Sequence, residues 1–166
     1  MLRTSLMLLA FALGAFAQAK VAIINSQLSV IETAEIKKAQ AELEAKFKPR
    51  QAQMEKLQKE IAGLQGQLQS GQGKLTPQAE QDLNMRGQRM QRELQRVGED
   101  LQADVDRERQ EILGRSSERM QEIVRKLAEA RGFDIVLDVA NTIYFKQALE
   151  ITKDATAEYD KAYPVK

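Results

Sequence analysis

Apolar residues at alternating steps of four and three constrain the fold of this chain more than any other feature of its sequence. Such heptad spacing is typical of α-helices that pack side by side along a narrow seam. The pattern has one polar interruption at Arg50, stops at residues 70–76 and then resumes. It predicts two long helices that contact each other. We call their apolar contact positions the seam residues: Phe47, Met54, Leu57, Ile61, Leu64, Leu68, Leu83, Met90, Leu94, Val97 and Leu101.

Turn-forming residues separate the two heptad stretches. Ser70-Gly71-Gln72-Gly73-Lys74 interrupts the first stretch, and Thr76-Pro77 then supplies a helix N-cap followed by proline at the first helical position. Arg131-Gly132 is typical of a helix C-terminus. The sequence therefore predicts an antiparallel helical hairpin over residues 31–129 with its turn near 70–76. At ~1.5 Å per residue, this arm would be roughly 60 Å or more long.

Short apolar runs with strand-like character flank the predicted hairpin. Lys20–Asn25 predicts a first strand, and the alternating residues of Phe133–Val139 predict a second. Thr142–Phe145 is expected to be the partner strand of the second run, across a turn at Ala140-Asn141. A closing helix is expected to run from Thr152, as its N-cap, to about residue 162.

The predicted fold class is α+β, mostly α: a long antiparallel helical hairpin projecting from a small β base. The base comprises residues 20–30 and 130–166. A lone hairpin has no third layer to cover its apolar atoms, and a few uncovered strands are only marginally stable. We therefore expect several copies to share the base, and the alternative is a monomer whose terminal segments fold back over the lower hairpin. The strand residues expected to mediate self-association are Val21, Ile23, Ile135, Leu137, Val139, Ile143 and Phe145.

The first nineteen residues have the features of a secretory signal peptide. Arg3 gives a positive start, an apolar run extends from Leu6 to Phe16, and Ala17-Gln18-Ala19 is a small-residue cleavage pattern. The run is shorter than the roughly 20 apolar residues of a membrane span. We expect cleavage after Ala19 and a periplasmic location, and the alternative is an uncleaved N-terminal anchor.

Composition argues against an enzyme. The chain has no cysteine and no histidine, which removes thiolate nucleophiles, the usual general base and the commonest metal ligands. We expect no catalytic residues, no metal site and no cofactor.

Without Arg3 the predicted mature chain has no net charge, but its charges are segregated. The stretch from Lys46 to Arg96 contains ten basic and five acidic residues, so its net charge is +5.

The order of these elements resembles the Skp (OmpH-like) family of periplasmic chaperones. The resemblance covers the whole mature chain, and its most specific stretches are Lys20-Val21-Ala22-Ile23-Ile24-Asn25 and Phe133-Asp134-Ile135-Val136-Leu137-Asp138. Tyr144 and Leu149-Glu150-Ile151-Thr152 follow where the family has a tyrosine and an Asp-Ile-Thr motif. Glu150 departs from that motif, and the neutral mature chain departs from the strongly basic best-known members.

The resemblance implies a homotrimer whose helical arms surround a cavity. Unfolded outer-membrane β-barrel precursors would be held there without ATP. The seam residues are then candidates for contact with clients, since apolar and flexible side chains suit irregular partners. Their alternative role is the packing of the hairpin itself. The competing function for the whole chain is a structural coiled-coil protein that bridges or spaces layers of the cell envelope.

Eight basic residues lie towards the predicted tip of the arm. We expect this half of the chain to approach lipopolysaccharide or an anionic membrane surface and to attract acidic clients. Nucleic acid is a poor partner for an exported chain. The alternative is an ordinary solvated face, partly paired with Asp82 and Glu93. We call the eight residues the basic arm face: Lys46, Lys48, Lys56, Lys59, Arg86, Arg89, Arg92 and Arg96.

Pro49 and Gly98 are predicted to form a hinge in the arm. A proline inside a helix costs about 3 kcal/mol or more, and a glycine costs about 1 kcal/mol relative to alanine. A turn near Gln72 to Gly73 would place Pro49 opposite residues 96–98. Two weak points at one level would let the arms splay around clients of different size.

Overall fold

The computed structural model describes residues 19–165. The predicted signal peptide therefore lies, except for Ala19, outside the described residues. The chain order is β1 (Val21–Ile24), α1 (Ser26–Ile31), α2 (Ala34–Ser70), α3 (Pro77–Arg131), β2 (Ile135–Asp138) and α4 (Thr152–Ala162). Short 3₁₀ turns occupy Val139–Asn141 and Gln147–Leu149.

The predicted helical hairpin is confirmed. α2 has 37 residues and α3 has 55, so at ~1.5 Å per residue they are roughly 55 and 80 Å long. The Thr76 hydroxyl accepts a hydrogen bond from the Ala79 N–H, and Pro77 opens α3, as the sequence predicts. At the far end of α3, Gly132 adopts a left-handed conformation with φ of 64°, which a residue with a side chain rarely adopts.

α1 was not predicted from the sequence. Its N-terminus is capped by the Asn25 side chain, which accepts a hydrogen bond of 2.8 Å from the Leu28 N–H. Thr33, in the short link between α1 and α2, caps α2 by accepting a hydrogen bond of 3.3 Å from the Ile36 N–H. Two closely spaced capping residues therefore bound a six-residue helix directly after the predicted strand.

The base contains a parallel pair of strands. β1 pairs with β2 so that Val21 lies opposite Ile135 and Ile24 opposite Asp138. On its other side, β1 is bridged by the segment before α4, where the Ile151 N–H donates to the Ile23 carbonyl over 2.8 Å. β1 is thus central, and within residues 19–165 the outer edge of β2 has no neighbouring strand.

The predicted strand Thr142–Phe145 and its hairpin with β2 are wrong. The Asp138 carboxylate accepts a hydrogen bond of 2.7 Å from the Ala140 N–H, which starts a 3₁₀ turn at Val139 and ends β2. The segment after that turn leads away from β2, and Ile143 is fully exposed. A strand needs a partner for its backbone groups, and within residues 19–165 this segment pairs with no strand.

The closing helix is confirmed, but its predicted cap is wrong. Thr152 is the first residue of α4 rather than the residue that caps it. Its hydroxyl instead accepts a hydrogen bond of 2.9 Å from the Asn25 N–H at the end of β1. The threonine thus links the two ends of the chain.

The main apolar core lies in the base. It includes residues that the sequence analysis assigned to the arm, because α2 and α3 both enter the base. Tyr159 of α4 is completely buried at its centre. The core residues are Ala22, Ile24, Val30, Ile36, Met120, Ile123, Leu127, Ile151, Ala155 and Tyr159.

Candidate functional site

The seam residues line the contact between α2 and α3. Phe47, Ile61, Leu64 and Val97 are buried, and the other seven are half-buried. The tight fit is visible near Gly98, where an added Cβ would lie 3.3 Å from the terminal methyl group of Met54. This placement favours hairpin packing as the role of these side chains.

Two open apolar grooves lie at the root of the arm, and the sequence analysis did not find them. The first has a volume of about 650 Å³ and lies against α1, α3 and β2. The second, of about 450 Å³, lies between α2 and α3 around Phe47 and Val105. Ile31 and Leu113 line both, so the two grooves form one continuous apolar track. We call it the root groove.

The rim of the root groove is rich in glutamine. Gln27 and Gln121 line its first part, and Gln40 and Gln51 line its second part. An amide side chain offers both a hydrogen-bond donor and an acceptor. An apolar floor with such a rim can hold an apolar segment and pair with the exposed backbone of an extended peptide. The sequence analysis missed it because α1, which forms one wall, was not predicted as a helix.

The residues predicted for self-association divide into two groups. Ile23 is buried by its own chain, while Val21, Val139 and Phe145 are half-buried. Ile135 and Leu137 point away from the core and remain 44% and 40% exposed, and Ile143 is fully exposed. Tyr144 and Leu149 add to this exposed apolar surface. It adjoins the unpaired edge of β2.

All eight residues of the basic arm face are exposed. Three of them have carboxylate partners: Lys46 pairs with Glu108, Lys56 with Glu60, and Arg96 with both Glu93 and Asp100. Within the described residues no ion pair involves the other five, which are Lys48, Lys59, Arg86, Arg89 and Arg92. Their charge is therefore available to solvent and to partners.

Pro49 and Gly98 do not lie at the same level of the arm. Ion pairs join Lys46 to Glu108 and Arg50 to Asp104, so Pro49 lies between two links to α3. Gly98 lies beside Met54, more than one helical turn closer to the tip. The geometric premise of the predicted hinge is therefore wrong, although the flexibility of the arm stays a prediction.

A polar cluster joins three helices at the arm root. The Glu35 carboxylate, in the first turn of α2, accepts hydrogen bonds from Arg119 of α3 at 3.0 and 3.1 Å and from the buried Tyr159 hydroxyl of α4. Burial alone would raise the pKa of Glu35. The Tyr159 hydrogen bond and the charges of Arg119 and Arg115 outweigh burial and hold this pKa below its ordinary value.

Neither a membrane span nor a metal site is evident between residues 19 and 165. No helix in that range is both long and apolar enough to cross a bilayer. The same residues contain no group of three or more acidic side chains arranged to hold a metal ion.

The fold and its surfaces define a class of protein in which a long helical hairpin projects from a small mixed base. The family described as "Outer membrane protein (OmpH-like)" matches residues 20–159. The chain belongs to this OmpH-like family. No curated protein sequence matches the chain.

A solved structure supports the fold. The crystal structure of a candidate outer membrane chaperone (OmpH-like) from Caulobacter crescentus CB15 superposes with a TM-score of 0.73 at 19% sequence identity. The match covers 90% of this chain and 89% of the other. The long hairpin on a small base is therefore a shared architecture.

Proposed function

We propose that this chain is an ATP-independent holdase chaperone of the periplasm, exported by a signal peptide that is cleaved after Ala19. Its clients would be unfolded outer-membrane protein precursors, whose aggregation it prevents. Membership of the OmpH-like family supports a chaperone role. The observation that carries the proposal is the open root groove, an apolar surface left uncovered while the seam is closed.

The client surface is the root groove rather than the seam. The seam residues already contact each other across the hairpin, and opening the hairpin would expose apolar area at a cost of ~25 cal/mol per Å². The root groove needs no such opening, since Ile31 remains 40% exposed within it. Its floor suits an apolar segment of an unfolded client, and its glutamines suit the unpaired backbone of that segment.

The working unit is an oligomer, a homotrimer by resemblance to the family. Within residues 19–165 the outer edge of β2 is unpaired, Ile135 and Leu137 are exposed, and the nearby segment around Ile143 forms no strand. Pairing of this segment with β2 of another copy would satisfy the backbone groups of both. The strand that the sequence predicts at Thr142–Phe145 would then form between chains. Several copies would also present several root grooves, so the oligomer would bind one client more tightly than a single groove does.

Suppression of aggregation tests the proposed function. A urea-unfolded outer-membrane β-barrel is diluted with and without stoichiometric mature protein, in the absence of ATP, and light scattering is followed. We expect the protein to suppress scattering. A structural spacer of the cell envelope would leave scattering unchanged, and that result would reject the holdase.

The molar mass in solution tests the oligomer separately. The wild-type mature protein and the variants Ile143→Asp and Met85→Asp are compared by light scattering. Ile143 lies at the proposed interface, while Met85 is a similarly apolar, exposed residue near the arm tip. We expect only Ile143→Asp to lower the mass. A monomeric wild-type protein, or an unchanged mass for Ile143→Asp, would contradict the proposed interface.

A further inference from the structure

Helix α4 packs against α1 and α3 and is joined to the first turn of α2 by part-buried hydrogen bonds. The Tyr159 side chain is completely buried, and its hydroxyl donates a hydrogen bond to the Glu35 carboxylate of α2. The Arg119 guanidinium of α3 donates to both oxygens of the same carboxylate. One carboxylate thus joins all three helices at the point where the arm leaves the base.

Partial exclusion of water strengthens this junction. The Glu35 side chain is only 17% exposed, and hydrogen bonds that involve an ionised group are roughly twice as strong as neutral ones. The Arg119 guanidinium also lies 4.6 Å from the ring centre of Tyr163, within the range of a cation–π interaction. Neither partner of the carboxylate can therefore swing away without losing a second contact.

An acidic residue of α4 contacts the start of α2. The Asp160 carboxylate accepts a hydrogen bond of 2.9 Å from the Ala34 N–H. Ala34 is the first residue of α2, where unpaired N–H groups and the positive end of the helix dipole favour an anion. One turn earlier, the Thr156 hydroxyl donates to the Ser29 carbonyl of α1 over 3.0 Å. α4 therefore holds α1 and the first turn of α2 against the base.

These contacts lie next to residues that line the root groove: Val30 and Met120 line its first part, and Ile36 lines its second part. α1 forms one wall of the groove, and the first turns of α2 form another. α3 forms the opposite wall, and α4 touches α1, α2 and α3. α4 therefore contacts each of the three helices that form the walls of the groove, and the Glu35 junction links α2 and α3 directly.

We propose that α4 is a clamp: through the Glu35–Tyr159–Arg119 junction it sets the separation of α2 and α3 at the arm root and hence the width of the root groove. Tyr159 and Glu35 act as positioning residues. The proposal does not depend on the holdase activity, because its test needs no client.

Spin-label distances provide the first test. The chain has no native cysteine, so pairs of introduced cysteines can be labelled without background. Lys37→Cys with Glu118→Cys reports on the arm root, and Gln65→Cys with Gln88→Cys reports on the arm near its tip; all four positions are exposed. Labelled chains are mixed with an excess of unlabelled chains, so that only distances within one copy are measured.

The test substitution is Tyr159→Phe, which removes one buried hydroxyl, and Tyr163→Phe, at the residue that follows the last residue of α4, is the matched control. Tyr163 contacts Arg119 through its ring, so its substitution keeps that contact. We expect Tyr159→Phe to shift or broaden the root distance while leaving the tip distance unchanged. Tyr163→Phe should change neither distance.

Hydrogen exchange provides the second test and guards against a misfolded variant. Amide protons of α4 should exchange about tenfold faster in Tyr159→Phe and in Glu35→Gln, since loss of a hydrogen bond to a charged group lowers the cost of local opening. Amides of α2 beyond residue 50 should exchange at the wild-type rate. Wild-type root distances and wild-type exchange of α4 in both variants would overturn the clamp.

Discussion

Ile31 offers a direct test of the root groove as the client surface. It lies on both parts of the groove, and 40% of it remains exposed for a client to cover. Complete burial of an isoleucine side chain is worth about 1.5–3 kcal/mol, so covering the exposed fraction is worth about 0.6–1.2 kcal/mol. Ile31→Gln should therefore weaken client binding about three- to eightfold for each copy that the client contacts.

Fluorescence anisotropy measures this effect. A labelled, urea-unfolded outer-membrane β-barrel is titrated with wild-type protein, Ile31→Gln and Met85→Gln. Met85 is 43% exposed, so its substitution removes a similar apolar area but lies near the arm tip, outside the root groove. We expect Met85→Gln to bind as the wild type does. Equal weakening by the two variants would indicate nonspecific apolar contact, and unchanged binding of Ile31→Gln would refute the reasoning.

The remaining predictions concern charge, pH and flexibility. The folded state lowers the pKa of Glu35 below 4.5, so its contribution to stability should be complete above about pH 5.5 and be lost as the pH falls through 4.5 and below. Denaturant unfolding at several pH values should show that the free energy of unfolding falls less steeply towards acid pH in Glu35→Gln than in the wild type. An identical pH dependence of the two proteins would exclude this contribution of Glu35. Reversal of the four arginine charges of the basic arm face should weaken binding to anionic vesicles at low salt, as measured by co-sedimentation. If the variant binds with the same salt dependence as the wild type, lipopolysaccharide and membrane surfaces are excluded as partners of this face. Pro49→Ala combined with Gly98→Ala removes two separate weak points of the arm and should narrow the range of client sizes held, as measured by aggregation assays with barrels of increasing length; an unaltered range would show that arm flexibility does not depend on these two residues.

The arm could be predicted from sequence because its determinants are local. Heptad spacing specifies which face of each helix is buried, and Thr76-Pro77 and Gly132 specify where α3 begins and ends. No knowledge of distant residues is needed for these features. The same locality explains why the closing helix was found.

The base was predicted less well because its structure depends on distant partners. Thr142–Phe145 has strand-forming residues, but the 3₁₀ turn at Val139–Asn141 leads this segment away from the free edge of β2 in its own chain. The root groove and the Glu35 junction were missed for the same reason. Glu35, Arg119 and Tyr159 are ordinary residues of three separate helices, and only the tertiary fold brings them together.

Parallel pairing of the first strand with a strand beyond the arm has a consequence for biogenesis. The Lys20 N–H bonds to Asp134, which lies 114 residues away in sequence. Long-range pairing carries a large loop-closure entropy and folds slowly, whereas the hairpin can close as soon as its own residues meet. If the chain is exported from its N-terminus as we propose, the arm would form while the last residues are still crossing the inner membrane. Maturation would end with the docking of the tail, so a truncated or stalled chain would remain an unfinished, protease-sensitive intermediate.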